Sequence, residues 1–335
     1  MNLKTNILYI YKSMSSDFPF RTYTDEEIKE DLKALISLVS RQVASVHIKK
    51  PNSCGYVGAN RFFQYERMNT PSQGKESAIS QWNSKRDEII SYYEKNGTKD
   101  LFRSIVFWTK CPNEFSPHVS AGVYRYFNAT HIVDWFAGWG NRLYGAVAYG
   151  CRYTGYDSNP NLLEPYQKMI EYYQPYAKKL EFHCMPAQQS ILEEGCDLVF
   201  SSPPFWKRTG KLVESYNNCE TNYDIFLKDC LFPLLSQARE RRVPVALFIP
   251  DEMASKIDVF EKHSFFLTFG NDKIFCWDWK GKKDDKKDDK KDDEDVQLYM
   301  KTKLLSYLRT TIYWEPILET KSISFLQKIV SSSNL

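Results

Sequence analysis

Apolar positions recur along this chain with two different periods. Near the start, Thr24, Asp25, Glu26 and Glu27 precede Ile28, Leu32, Leu35, Ile36 and Val39. A threonine cap with a glutamate three residues on satisfies N–H groups that a helix start leaves free, and steps of three and four gather the apolar side chains on one face. The pattern predicts an amphipathic helix. Ile79, Trp82, Ile89 and Ile90 predict another over Ser77 to Tyr93, and the Gly-, Pro- and Ser-containing stretch 51–75 between them reads as turns carrying aromatics. After Cys111 the texture changes to short apolar runs, HIVDWF, YTGYD, LEFHC, DLVFSS and VPVALFIP, alternating with helical patterns. Such alternation predicts an α/β fold with a doubly wound parallel sheet, in which ligands bind beyond the carboxyl ends of the strands. The expected organisation is a helical basic extension over 1–110, the α/β domain over 111–318 and a C-terminal tail over 319–335.

Composition narrows the class. A chain of 335 residues with 42% hydrophobic and 26% charged residues is neither a disulfide miniprotein nor disordered throughout. No apolar run approaches the roughly 18 residues of a membrane helix, and MNLKTNILYIYKSM holds too short an apolar stretch for a signal peptide. An intracellular protein, cytoplasmic or nuclear and without membrane contact, is expected. The eight cysteines form no C-x-x-C pair and no Cys/His cluster at zinc spacing, so reduced thiols and no metal are expected. Between Lys280 and Asp295, KGKKDDKKDDKKDDED has nothing to bury, and 281–295 reads as a solvated insertion. The net charge of +3 conceals a basic N-terminal end. There Lys49, Lys50, Arg61 and Arg67 flank Phe62, Phe63 and Tyr65, a set suited either to phosphates and stacked bases or to packing against the α/β domain.

Candidate chemistry follows the strand ends. After Ile132 and Val133 the chain runs Asp134-Trp135-Phe136-Ala137-Gly138-Trp139-Gly140-Asn141-Arg142, a glycine turn from strand into helix. Gly138 and Gly140 would let the backbone pass close under a nucleoside, although an ordinary tight turn has the same look. The third glycine of a dinucleotide fingerprint and the G-K-[ST] of a P-loop are both missing. Asp157 closes the second run, where a carboxylate can accept from two ribose hydroxyls or cap a helix. The fourth run ends in Ser201-Ser202-Pro203-Pro204-Phe205-Trp206. Two prolines stiffen that loop and remove N–H donors while leaving carbonyls to accept. Such a loop suits a planar substrate bearing an amino group, or is simply a rigid turn.

Asp134-x-Phe136-x-Gly138-x-Gly140 followed by Ser202-Pro203-Pro204-Phe205 resembles the two signatures, D-x-F-x-G-x-G and [DNS]-P-P-[YFW], of the S-adenosyl-L-methionine-dependent amino methyltransferases of DNA. The likeness runs from Phe115 to about Pro316, and A-G-W-G-N-R-L-x-G-A is similar to a form found in methyltransferases of phages and large DNA viruses. The cofactor motif comes first, which resembles the gamma arrangement of the superfamily. The resemblance implies a Rossmann-like methyltransferase sheet, S-adenosyl-L-methionine as cofactor and DNA as partner. Phe115 and Pro117 would close over the methionine part of the cofactor. Asp134, Phe136, Gly138 and Gly140 would line it, Asp157 would hold the ribose, and Asn159 or Pro160 would border the adenine. Gln188 stands where many relatives place a carboxylate. Ser202, Pro203, Pro204 and Phe205 would be catalytic, with Trp206 adding a stacking surface and Lys49, Lys50 and Arg61 holding nucleic acid. Serine at 202 favours cytosine N4 over adenine N6, and no Pro-Cys motif supports attack at cytosine C5. RNA or a protein amide is the alternative substrate, and an inactive binding module the third reading.

Overall fold

The structure, a computed structural model, describes residues 18–49, 55–96, 100–205 and 222–279. Lys50, Trp206, the charged run 281–295 and the tail 319–335 lie outside the described residues.

Among the described residues, five helices precede the first strand. The first, α1 (Asp25–Arg41), starts with the expected capping box: Glu27 N–H donates to Thr24 Oγ1 at 3.2 Å and Thr24 N–H to Glu27 Oε2 at 2.8 Å. It buries Ile28, Leu32, Leu35 and Val39, whereas Ile36, expected on the same face, is 42% exposed because it falls at the edge of the stripe. The stretch read as turns contains a helix, α2 (Val57–Asn69), whose start at Tyr56 has no side-chain cap. Packing holds it instead. A Cβ at Gly58 would lie 2.2 Å from the Tyr144 ring, so only glycine permits that approach. Next come α3 (Ala78–Asn96), broken at Lys85, and α4 (Leu101–Thr109), which pack together around Trp82, Ile89, Phe102 and Ile105.

After α5 (Pro117–Tyr126) the chain alternates β1 (His131–Asp134), α6 (Asn141–Tyr149), β2 (Arg152–Asp157), α7 (Leu163–Tyr173), β3 (Leu180–Cys184) and β4 (Leu198–Ser201). Then follow α8 (Tyr223–Phe226), a π turn, α9 (Phe232–Glu240), β5 (Val245–Leu247), α10 (Asp251–Ile257), β6 (Phe265–Phe269) and β7 (Asp272–Trp277). The sheet order is β3-β2-β1-β4-β5-β7-β6, with β1 to β5 parallel and β7 antiparallel to both neighbours. All five apolar runs are strands, and the fold is α/β, doubly wound and Rossmann-like. The order reverses between β1 and β4, the place where such sheets open a ligand crevice. One core joins Leu35 of α1 and Phe63 of α2 to Ile132 of β1 and Tyr144 of α6, so these N-terminal helices pack as a layer on the sheet's own helices.

Candidate active site

The glycine turn is built around Asp134, which has no exposed surface. Its carboxylate accepts from Arg142 Nε at 2.6 Å, Tyr153 Oη at 2.7 Å, Ser201 Oγ at 2.7 Å and the Phe136 N–H at 3.3 Å. A buried charge this well satisfied ties the ends of β1 and β4 and the Tyr153 side chain of β2 to the first turn of α6. Burial pushes the Tyr153 phenol well above its ordinary range, which keeps it a donor. Burial works against the Arg142 charge, but Asp134 together with Tyr153 and Tyr166 offsets it, and the net effect raises the Arg142 pKa. Ser201 Oγ also accepts from the Phe136 N–H at 2.9 Å, so the first serine of the S-S-P-P loop braces the turn and the second is left to the cleft.

Gly138 and Gly140 both adopt left-handed φ, 59° and 75°. Gly138 N–H donates to Asp157 Oδ2 and Asn159 N–H to Asp157 Oδ1, each at 3.0 Å. Burial raises the Asp157 pKa against the opposing effect of those two donors. Gly140 serves packing: a Cβ there would lie 2.5 Å from the Phe63 ring and 2.9 Å from Met169 Sδ, and its N–H donates to Tyr166 Oη at 3.2 Å.

Beyond the strand ends lies a cleft of about 1030 Å³. Its walls bring together Phe115, Phe136, Gly138, Asp157, Asn159, Gln188, Ser202, Pro203, Pro204 and Phe205. Asp134, Gly140 and Pro117 are not among the lining residues; they stand behind the wall, the first two as described and Pro117 at the start of α5, where its carbonyl crowds Gly145. Phe115 sits among Phe200, Phe248 and Phe269 with ring centroids 5.3 to 5.9 Å away, and Phe205 meets Phe248 edge-on at 5.4 Å. Ser202 Oγ makes a long hydrogen bond to the Phe248 carbonyl, 3.5 Å, which leaves its lone pairs to accept.

Several lining residues carry no sequence signal. Tyr56 and Glu114 join the cleft from the N-terminal part, and Glu114 is paired with buried Arg67 at 3.1 Å. Arg67 also donates to the Pro112 carbonyl and Asn60 Oδ1, so it braces the wall and offers nothing to a phosphate. The expectation for the neighbouring aromatics changes likewise: Phe63 packs on Tyr166 at 4.7 Å and Phe62 on Tyr172 at 5.8 Å. Lys49 and Arg61 are exposed outside the cleft, Arg61 donating to the Tyr23 carbonyl. Asn141 could have been noticed, since it follows the glycine turn directly. It is 3% exposed, donates from Nδ2 to the Phe115 carbonyl at 2.7 Å, and its Oδ1 has no hydrogen-bond partner. Cys184 and Cys230 also line the cleft. Burial, and then the Asp157 charge, push the Cys184 thiol up, the opposite of what a nucleophile needs.

Among the described residues no group of His, Cys, Asp or Glu could hold a metal ion, and no helix is long and apolar enough to cross a membrane. No family model and no curated protein matches the chain. Among solved structures it is similar to an RNA methyltransferase from Salinibacter ruber in complex with S-adenosyl-L-homocysteine, at 13% identity over 50% of this chain and 93% of that one, TM-score 0.33. It is also similar to TrmN from Thermus thermophilus, at 16% identity over 48% of each chain, TM-score 0.36. A third is the tRNA (uracil-54, C5)-methyltransferase of Pyrococcus abyssi in complex with S-adenosyl-L-homocysteine, at 14% identity over 49% of this chain and 39% of that one, TM-score 0.31. At such low identity and scores, the reaction has to be read from the cleft itself.

Proposed function

We propose that the protein transfers a methyl group from S-adenosyl-L-methionine to the exocyclic amino group of a nucleic-acid base, in DNA and with cytosine N4 favoured over adenine N6. One observation carries this reading: a single cleft at the strand-order reversal holds Asp157 on one side of the glycine turn and the Ser202-to-Phe205 loop on the other. The strands bearing them are separated by β1, hence by two strand spacings, roughly 10 Å.

The residues present fit the cofactor. Asp157 spends one lone pair of each oxygen on a backbone N–H and keeps the others for ribose hydroxyls. Phe136, Asn159 and Gln188 border the adenosine end, and the Gln188 amide oxygen can accept from the adenine amino group. At the methionine end, the orphaned Asn141 Oδ1 and the Glu114 carboxylate are acceptors suited to an α-ammonium.

The cofactor supplies a methyl group on a sulfonium, open to direct displacement. The chain's share is to present the amino nitrogen in line at near-attack distance. Phe205 stacks on the flipped base, and Ser202 Oγ and the Pro203 carbonyl accept from its amino hydrogens. Those acceptors favour a pyramidal nitrogen with an available lone pair and stabilise the positive charge that develops on it. A covalent route through a thiolate is disfavoured by the raised pKa of Cys184.

Incubating the protein with methyl-tritiated cofactor and DNA, RNA or protein substrates, followed by mass analysis of released nucleosides, tests the reading. N4-methylcytosine or N6-methyladenine from DNA is expected. Label on RNA or on a protein amide would move the substrate to those classes, and binding of S-adenosyl-L-homocysteine without transfer to any of them would refute the activity.

A further inference from the structure

Phe62 and Phe63, beside Lys49 and Arg61, are used in packing, but a different cation–aromatic stripe is open to solvent. On α4, Arg103 and Phe107 are four residues apart, which places them on one helical face, and Lys110 follows at the helix's C-cap. All three are exposed, Phe107 by 50%. The Arg103 guanidinium lies over the Phe107 ring at 5.6 Å, and beside the stripe the Lys75 ammonium lies over the Trp108 ring at 5.8 Å. The opposite face of α4, with Phe102, Ser104, Ile105 and Thr109, is buried, so the stripe is not core. Residues 101–110 include no acidic residue, and the residue before them, Asp100, caps the helix and pairs with Arg21; beside the stripe, Glu76 follows Lys75 in the chain.

The place of this stripe gives it meaning. Lys110 ends α4 in the left-handed conformation, φ 58° and ψ 43°, and turns the chain into the segment whose Asn113, Glu114 and Phe115 line the cleft. Lys110 and Asn113 are three residues apart, at most about 11 Å of extended chain. The stripe therefore starts at the rim of the cleft.

We propose that this face of α4 binds the nucleic-acid strand flanking the base held in the cleft, Arg103, Lys110 and Lys75 engaging phosphates and Phe107 stacking on an unpaired base. The proposal rests on the base-methylating reading of the cleft. A polyanion is the partner that answers Arg103, Lys110 and an exposed ring on a ten-residue stretch without an acid, and an unpaired strand is the form that offers bases to the ring. Such a surface also gives the protein a hold on the strand independent of the S-P-P-F loop.

The test uses the full chain and fluorescein-labelled 20-nucleotide DNA and RNA single strands and a DNA duplex, with anisotropy followed across a KCl series. Arg103→Glu and Lys110→Glu should each weaken binding and flatten the log–log salt slope by about 0.7 to 0.9 per lost contact. Phe107→Ala should weaken single-strand binding roughly fivefold or more, with a smaller effect on duplex. All three side chains are exposed, so S-adenosyl-L-homocysteine affinity should stay at the wild-type value. Wild-type affinity and slope in all three variants would overturn the proposal, as would a loss matched by an equal loss of S-adenosyl-L-homocysteine affinity. A wild-type protein that binds no S-adenosyl-L-homocysteine would instead overturn the reading of the cleft, and the anisotropy series would still decide the surface.

Discussion

Asp157 is the residue on which the cofactor reading can be tested most directly. Its two oxygens hold the Gly138 and Asn159 amides at 3.0 Å, so Asp157→Ala removes the ribose acceptor and also releases the glycine turn. Asp157→Asn is the milder change: the amide keeps the shape and one acceptor, loses the charge, and leaves one of the two backbone N–H groups facing a donor. Each hydrogen bond to a charged acceptor contributes about 1.5 to 3 kcal/mol, and about 1.4 kcal/mol is tenfold in affinity. Calorimetry should therefore show S-adenosyl-L-homocysteine affinity reduced at least tenfold in Asp157→Asn and further in Asp157→Ala. The pH dependence gives a second, independent signature. Burial raises the Asp157 pKa in the free protein, so the ionised form costs folding stability; that stability is present below the unfolded value and lost as pH rises through the folded one. Ribose hydroxyls favour the ionised carboxylate, so cofactor affinity should fall as pH is lowered through the raised pKa, and Asp157→Asn should abolish that fall. Asp157→Ala binding S-adenosyl-L-homocysteine within twofold of wild type, with its circular dichroism unchanged, would refute the assignment.

The other predictions concern the remaining parts of the site and its support. Phe205→Ala should depress methyl transfer with cofactor affinity retained, since it removes a stacking surface of about 1 to 3 kcal/mol per base. Ser202→Ala should act in the same way and mainly on kcat, and full transfer by both variants would remove this loop from the chemistry. Gly140→Ala should destabilise the fold by about 2 to 5 kcal/mol, from left-handed backbone and overpacking against Phe63, measured by urea unfolding; a loss under about 0.5 kcal/mol would mean that Phe63 and Met169 simply move aside. Burial, with Arg152 adding to it, lowers the His131 pKa. Its contribution to stability is thus complete above the unfolded value near 6.5 and lost as pH falls through the folded one, and thermal unfolding of His131→Gln should decline less on acidification than that of wild type.

Strands β1, β4 and β5 were legible because parallel strands buried on both faces are written as apolar runs, β2 and β3 (RYTGYD and LEFHC) because they alternate with helical patterns, and the residues that follow the strands fall at the mouth of the sheet by topology alone. That is why Gly138, Asp157 and Ser202, spread over 65 positions of sequence, could be expected in one place. The β6–β7 hairpin was not legible. Its Ile274 to Trp277 run resembles the other strands, and nothing local says that β7 inserts antiparallel between β5 and β6. Helix α2 was missed for a related reason: Gly58 and an uncapped start argue against a helix locally, and the contact with Tyr144 that reverses the balance lies 86 residues away in sequence. Arg67 shows the limit for charge. The sequence leaves it between a phosphate contact and packing, and it is buried because Pro112 and Glu114, 45 and 47 positions on, supply its acceptors.

The misses at α2 and Arg67 fall on one physical relation, between the N-terminal helices and the glycine turn. Asp31 of α1 accepts from the Gly55 N–H at 2.9 Å and from Tyr144 Oη of α6 at 3.2 Å, so one carboxylate binds the approach to α2 to the helix that the turn begins. Phe63 of α2 lies where any side chain at position 140 would have to go, so the turn takes its left-handed path against that ring. Arg67, from the same helix, holds Glu114 in the cleft wall next to Phe115. At Gly138 and Gly140 the turn has no side chains of its own to fix it. Its shape comes from what lies beneath, and here the ring of Phe63 belongs to a helix outside the doubly wound sheet. The helices before residue 110 thus act on the cleft by setting its floor and one wall, and the sequence shows their charge more readily than this role.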